Sequence, residues 1–599
     1  MTDEKNPAVA VPPLNRQRLA ALVDQLRTLS PRRRLNLLLD QPDLTAVLAR
    51  LPIQDVHALI REVGAADTME LIEACPPAVL QGLVDLGCWT ADRVDPRALA
   101  NFYAALFQAE PDVAIQKVLR MDPELRTLFL KLHVRVEDIT EDGVPDAGGA
   151  DHLITPDHKQ ILIFGDAPGL PEAQEDPFGL GERGRSLARH AAKEMLEGFL
   201  KLDPAGVTQM MDAVRWELPS QLEDDALRWR SARMMDLGFP PREEALRVLA
   251  FLDPDKAALR PPAPPLPPVD DEDDEIADQA LALYAEPDDG PREPFLAAGI
   301  AALSPPERDR VKRELASVAN MVAVARSASP GDPDAIRGAV RETRITLDLG
   351  LAYRGGGKAE TAVDLLRTTS LVDLFRVGHS LGLRLQRQAQ RIASAERGTP
   401  REIAAMLDPP WGLAVAALLG RQPLFFTGLA RHGEVDTHPF ASLDDLAVAA
   451  RAVAEAGFRL AVGLDVLGVT PERLRRAALE GTNLGDAAEV TLEVLLTTAL
   501  ARAATGGRLD PSPLDARELQ AVRAALSDAG PVERAGHQLG DLVAAKAPLP
   551  GARKPEDAHR RAAMLAGVLL TRLDDELHGI PKDQAVDARF VTRVLTRVG

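Results

Sequence analysis

Leu48–Val63 reads LARLPIQDVHALIREV, and Leu71–Leu86, at an offset of 23 residues, reads LIEACPPAVLQGLVDL. Leu44, Val47, Leu48 and Leu51 stand at i, i+3, i+4 and i+7. Val56, Leu59, Ile60 and Val63 repeat that spacing, and Val79, Leu80, Leu83 and Val84 continue it. Such spacing lines one face of an α-helix with apolar side chains. Each helix has only two or three turns, too short to persist alone in water, so its apolar face must be buried on its neighbours. A later echo is Val118–Leu132, VLRMDPELRTLFLKL. Helix pairs repeating at this period predict a mainly α fold, a solenoid-like array of short helices.

Outward from this stretch, one helix-start device recurs. Ser30-Pro31, Asp95-Pro96, Asp122-Pro123, Asp203-Pro204, Asp253-Pro254, Ser304-Pro305, Asp332-Pro333, Thr399-Pro400, Asp408-Pro409 and Thr470-Pro471 each place a capping side chain before proline. The side-chain oxygen accepts from an orphan N–H of the first turn, and proline at the first helical position loses no bond there.

One region breaks the helical period. Leu132, Val134 and Val136 alternate with His133, Arg135 and Glu137, and Ile161-Leu162-Ile163-Phe164 is a short apolar run ended by Gly165. Two strands are expected, forming a small β-hairpin inserted around 132–165. Arg260–Glu275 then carries six prolines within eight residues, followed by six consecutive carboxylates, Asp270 to Glu275. Proline denies donors and like charges repel, so an extended, unpacked linker is expected. The implied segments are a helical-repeat region at 1–131, the β element at 132–167, helices at 186–256, the linker at 257–290, a helical domain at 291–503 and a last helical group at 515–599.

The chain has 599 residues, is 46% hydrophobic, and carries 70 Lys+Arg against 90 Asp+Glu, a formal charge of −20. That balance excludes a protein that coats nucleic acid, whose phosphate footprint needs a net basic face. Of the 70 cations, 12 are lysine and 58 arginine. Two cysteines, Cys75 and Cys88, cannot build a disulfide framework or a four-thiolate zinc site. No apolar run approaches the roughly 18–20 residues that span a bilayer. Met1–Ala10 has no signal-peptide core. A cytoplasmic protein is expected.

The pattern over Asp43–Asp92 resembles the intracellular N-terminal helical-repeat domain of bacterial magnesium transporters and the related superhelix of flagellar motor switch proteins. The transporter's nucleotide-binding module and membrane helices have no counterpart here. Glu223–Leu249 and Leu371–Gln388 resemble a large uncharacterised bacterial family of unknown function, through Arg228-Trp229-Arg230, Leu237-Gly238-Phe239 and Leu374-Phe375-Arg376. That resemblance implies no activity.

Four groups of residues carry candidate chemistry. Arg354-Gly-Gly-Gly-Lys358 lacks the first glycine and the hydroxyl of a phosphate loop and follows a helical pattern, so it reads as a turn between helices. His152, Asp157 and His158, with Asp151 and His133 nearby, are candidate metal ligands in a polar loop. Arg384, Arg387 and Arg391 fall on one stripe of a helix and are candidates for gripping a phosphate, a carboxylate or an acidic partner. Glu223–Asp225 with Arg228, Arg230 and Arg233 reads as ion pairing along one helix, with Trp229 as a packing anchor. No nucleophile elbow, zinc-protease helix, dinucleotide glycine fingerprint or thiol redox pair is present, and no cofactor is identified. The expected role is a helical scaffold or adaptor for protein partners, without nucleic acid or a membrane span. The alternative is an enzyme or ligand sensor using the Arg384 stripe. If the linker is a tether, limited proteolysis cuts first between about residues 256 and 290; first cleavage elsewhere removes that expectation.

Overall fold

The computed structural model describes residues 16–598 apart from 109, 142, 166–183, 263–292, 394–398, 431–434, 471, 473–481, 485–488 and 581–585. The fold is mainly α with small antiparallel β insertions. The caps explain where many helices begin. Ser30, Asp95, Asp122, Asp203, Ser304, Asp332 and Thr399 each stand immediately before a helix whose first residue is proline. Asp95 shows the mechanism: its Oδ1 accepts from Arg97 N at 2.9 Å and Ala98 N at 3.0 Å.

Two of the expected starts turn out otherwise, and Pro471 of a third lies outside the described residues. Asp253-Pro254 begins a turn, not a helix. After Asp408-Pro409 the helix starts only at Trp411. The Asp408 carboxylate instead accepts from Thr491 Oγ1 at 2.7 Å and Glu493 N at 3.1 Å, capping the helix Leu492–Ala504 from a distant part of the chain. Asp348 does the same for Pro294–Ala301, accepting from Phe295 N at 2.8 Å and Leu296 N at 2.7 Å.

The β element has three strands where two were expected. Val134–Asp138, Gln160–Phe164 and His152–Ile154 form an antiparallel sheet with Gln160–Phe164 in the centre. The helix Pro123–His133 runs through Leu132 and His133, so the first strand starts at Val134. The missed strand, His152–Ile154, is an edge with two of its three residues exposed. An edge strand that buries so little carries no apolar alternation to read.

Apolar side chains gather into three main cores. The first spans Leu19 to Ala226, the second joins Leu86 to residues between Met234 and Phe375, and the third runs from Leu349 to Leu595. Residues 263–290 of the expected linker lie outside the described residues, as do 291 and 292. The chain on either side of them shares one core, Phe239 and Val248 packing with Leu296, Val322 and Leu374. Arg354–Lys358 forms the expected turn: Gly356 and Gly357, with φ of +61° and +73°, join the helices Pro333–Arg354 and Ala359–Thr368.

Helices Pro333–Arg354 and Leu371–Ile392 connect the second and third cores, and they cross at two glycines. A Cβ on Gly350 would lie 2.2 Å from the Leu374 carbonyl, and one on Gly378 would lie 2.1 Å from the Thr346 carbonyl. The obstruction is backbone on both sides, so neither helix can yield without moving as a body. Gly378→Ala should therefore lower unfolding stability by about 2 kcal/mol or more. Gly338→Ala, on the same helix pair with nothing within 4 Å of its Cβ, should raise it by about 0.5–1 kcal/mol. Urea unfolding of both variants checks the opposite signs.

Candidate functional site

The Arg384 stripe lies on the helix Leu371–Ile392, and residues 250–260 lie across it as a strap with a turn at 254–256. Arg376 Nε donates to the Ala250 carbonyl at 3.1 Å, and Ser380 Oγ accepts from Leu252 N at 2.8 Å. Arg384 Nη2 donates to Asp253 Oδ1 at 2.9 Å and Asp255 Oδ2 at 2.6 Å. Arg387 lies 3.8 Å over the Phe251 ring, and Arg260 pairs with Asp373 at 2.7 Å. Tyr353 donates to Asp255, and this bond, followed by Arg384, holds that carboxyl below its usual range. Arg391 is exposed in the last turn. Two of the three expected ligand-binding arginines thus meet groups of their own chain.

The expected metal ligands are spread over different settings. His133 is fully buried against Phe129 at the end of its helix, with ring centroids 5.2 Å apart. His152 is exposed on the edge strand. Asp157 and His158 form the turn to the central strand, where Asp157 accepts from Thr155 Oγ1 at 2.7 Å and Lys159 N at 3.2 Å. Among the described residues, no group of three His, Cys, Asp or Glu side chains is placed to hold a metal ion.

A cleft of about 420 Å³ opens elsewhere, at the seam between the first and second cores. Five segments build it. The helix Ile53–Val63 supplies His57 and, one turn on, Arg61. The hairpin Trp89–Val94 follows the helix Pro77–Gly87. The helix Pro219–Asp236 supplies Arg230, and the short helix Arg242–Ala245 beyond it supplies Arg242. Residues 327–332, before the helix Pro333–Arg354, close the other side. The approach of that loop requires Gly331, since a Cβ there would lie 2.4 Å from the Leu86 carbonyl and 2.8 Å from the His57 ring.

Each guanidinium in the cleft is positioned by neutral acceptors. Arg61 Nη1 donates to the Gly331 carbonyl at 2.9 Å, and Arg242 Nη1 to Ser327 Oγ at 2.7 Å. Arg230 is nearly buried, with Nε on the Asp85 carbonyl at 2.9 Å and Nη1 on the Ala91 carbonyl at 3.4 Å. It also stands 4.9 Å over the Trp89 ring, where the electron-rich face favours a cation. A guanidinium has five N–H donors, so donors are left over in each case.

Three non-glycine residues have left-handed φ among the described residues, and two of them, Ala91 at +54° and Ser327 at +61°, line this cleft. Such strain persists only where the surroundings enforce it, and it concentrates at functional sites. Ala91 sits at the hairpin tip and presents Asp92; Ser327 presents the hydroxyl that holds Arg242. His57 is 3% exposed, and burial, with a smaller contribution from Arg61, pushes its pKa down to about 4. Its imidazole is therefore neutral at pH 7.

Below the cleft, Arg233 binds two buried carboxylates, with Nε on Asp85 Oδ2 at 2.6 Å and Nη2 on Asp122 Oδ2 at 3.1 Å. Gln81 completes the network, donating to Asp85 at 3.1 Å and accepting from Asp122 N at 2.8 Å. Burial raises the Asp122 carboxyl above its usual range, against the pull of Arg233.

Of the expected ion pairing along the helix Pro219–Asp236, one pair forms, Arg228 with Asp225 at 3.5 Å. Arg230 and Arg233 reach other helices, and Glu223 accepts from Val94 N at 2.7 Å. Trp229, read as a packing anchor, is 56% exposed, while neighbouring Arg230 is buried. His57, Arg61, Trp89, Asp92 and Arg242 carried no motif: His57 lies in mid-helix, and the other four stand at helix ends and in the hairpin.

Residues 12–597 match the family described as Family of unknown function (DUF6178). No curated protein and no solved structure matches.

The buried neutral imidazole has a consequence for stability. An unfolded chain protonates His57 near pH 6.5, whereas the folded chain resists until about pH 4. The unfolded state therefore binds more protons in that window, and His57 costs stability as pH falls through it. His57→Gln removes this loss. The stability gap between wild type and variant should narrow by up to about 3 kcal/mol from pH 6.5 to pH 4. Urea midpoints at several pH values check it; a gap independent of pH would show that His57 is not held neutral.

Proposed function

We propose that the chain, which belongs to this family of unknown function, is a helical binding protein whose seam cleft takes a small molecule bearing a carboxylate or phosphate group. One observation carries the reading: guanidiniums of Arg61, Arg230 and Arg242, from three separate segments, converge on a single cleft with donors to spare. Its volume falls within the range of ordinary ligand pockets. Arginine suits the task because its planar fork matches the two oxygens of a carboxylate or phosphate. The Arg384 stripe supports such a role less, because Asp253 and Asp255 already pair with Arg384 and the Phe251 ring covers Arg387. No helix among the described residues is long and apolar enough to cross a membrane.

The scaffold reading is supported by a different surface. Trp216 and Trp229, on the consecutive helices Pro204–Trp216 and Pro219–Asp236, are 70% and 56% exposed. Large exposed aromatics are enriched where proteins meet partners. A partner recovered by wild type and by Arg242→Gln, but not by Trp216→Ser/Trp229→Ser, would favour this reading over the cleft.

For the cleft, thermal-shift measurements on the full chain with phosphate and with mono- and dicarboxylates are decisive. Ligand at one hundred times its dissociation constant should stabilise by about 2.7 kcal/mol, seen as a rise in Tm. Arg242→Gln should abolish the rise without unfolding the protein. No shift with any anion, from a protein shown folded by circular dichroism, would overturn the proposal.

A further inference from the structure

The charges lining the cleft balance. Arg61, Arg230 and Arg242 face Asp92, Asp95 and Asp332, and His57 adds none at pH 7. A bare anion would leave this partly enclosed site with a net negative charge, and an uncompensated charge is costly to remove from water. A ligand carrying both signs leaves it neutral.

The acids are not equivalent. Asp95 Oδ1 caps the helix Pro96–Leu106, and Asp332 Oδ1 caps Pro333–Arg354 by accepting from Asp334 N at 3.1 Å. Asp92, at the tip of the strained hairpin, accepts no hydrogen bond among the described residues, and its charge is felt by Arg230. A carboxylate with all its acceptor positions open, next to guanidiniums with open donors, presents the two halves of a dipolar site.

We infer that the ligand of the seam cleft is a small zwitterion of the free amino acid class, its carboxylate on Arg61, Arg230 and Arg242 and its ammonium on Asp92. This rests on the anion-binding reading above and adds a second, cationic requirement to it. The volume admits an amino acid or a dipeptide and excludes a folded partner.

The test uses the full chain and four kinds of probe: free L-amino acids, the amide of each (no carboxylate), the N-acetyl form of each (no ammonium), and inorganic phosphate. Calorimetric titration should show at least one free amino acid binding tenfold or more tighter than its own amide and its own N-acetyl form. Asp92→Asn, at an exposed turn, should erase the preference over the N-acetyl form while keeping carboxylate binding. Arg242→Gln should weaken both. If phosphate or an N-acetyl form binds wild type as well as the free amino acids do, or if Asp92→Asn keeps the preference, the zwitterion inference fails and anion binding stands. If no probe binds the folded wild type, both fail.

Discussion

The helix Pro219–Asp236 is fixed by a charge, and the seam of the molecule depends on it. Arg233 reaches from this helix to Asp85 on Pro77–Gly87 and Asp122 on the cap of Pro123–His133. Both carboxylates are almost wholly buried, so neither is tolerable as an ion without the guanidinium; removing it leaves unpaired buried charge and costs several kcal/mol. Replacing the whole network with apolar groups need not cost as much. What the ions add is register: a bidentate guanidinium accepts its carboxylate in one geometry only. One turn earlier, Arg230 is thereby set over Trp89 and against the Asp85 and Ala91 carbonyls.

The same helix passes from one core to the next. Its Ala226 belongs to the first, and its Met234 to the second. Where two cores meet around a helix, neither supplies complete cover, and the uncovered remainder is the cleft. Loop residues 327–331 close part of it, at a distance only a glycine at 331 permits. The site is thus a product of the assembly and not of any local motif, with contacts such as Arg61 to Gly331 spanning 270 residues of chain.

That origin explains what could be read from the sequence. Caps, proline starts and glycine turns act over three or four residues, and Asp95-Pro96 or Gly356-Gly357 could be read on sight. Asp408 and Asp348 carry the same chemistry but cap helices from more than fifty residues away, and no local pattern signals that. The strand Gln160–Phe164 was legible because it is buried throughout; the edge His152–Ile154 was not. Trp229 and Arg230 were read in the usual order of hydrophobicity, aromatic inside and cation outside. A buried acceptor set on another helix reverses that order.

In a chain with 58 arginines, residue type alone cannot mark a ligand site; the identity of the acceptor does. Arg384 and Arg260 are met by carboxylates, which fill the guanidinium fork and cancel its charge in one step. The strap bringing two of those carboxylates has unpaired backbone groups of its own, and Arg376 and Ser380 satisfy them. The whole arrangement is closed on itself. Arg61, Arg230 and Arg242 are met by carbonyls and a hydroxyl, neutral acceptors that fix the side chain and leave its charge in place. The nearest carboxylate to Arg61, Asp332, stands at 3.7 Å, beyond hydrogen-bonding distance. Positioning a cation without neutralising it keeps its attraction available to an incoming anion, and at the seam three such cations line one cleft.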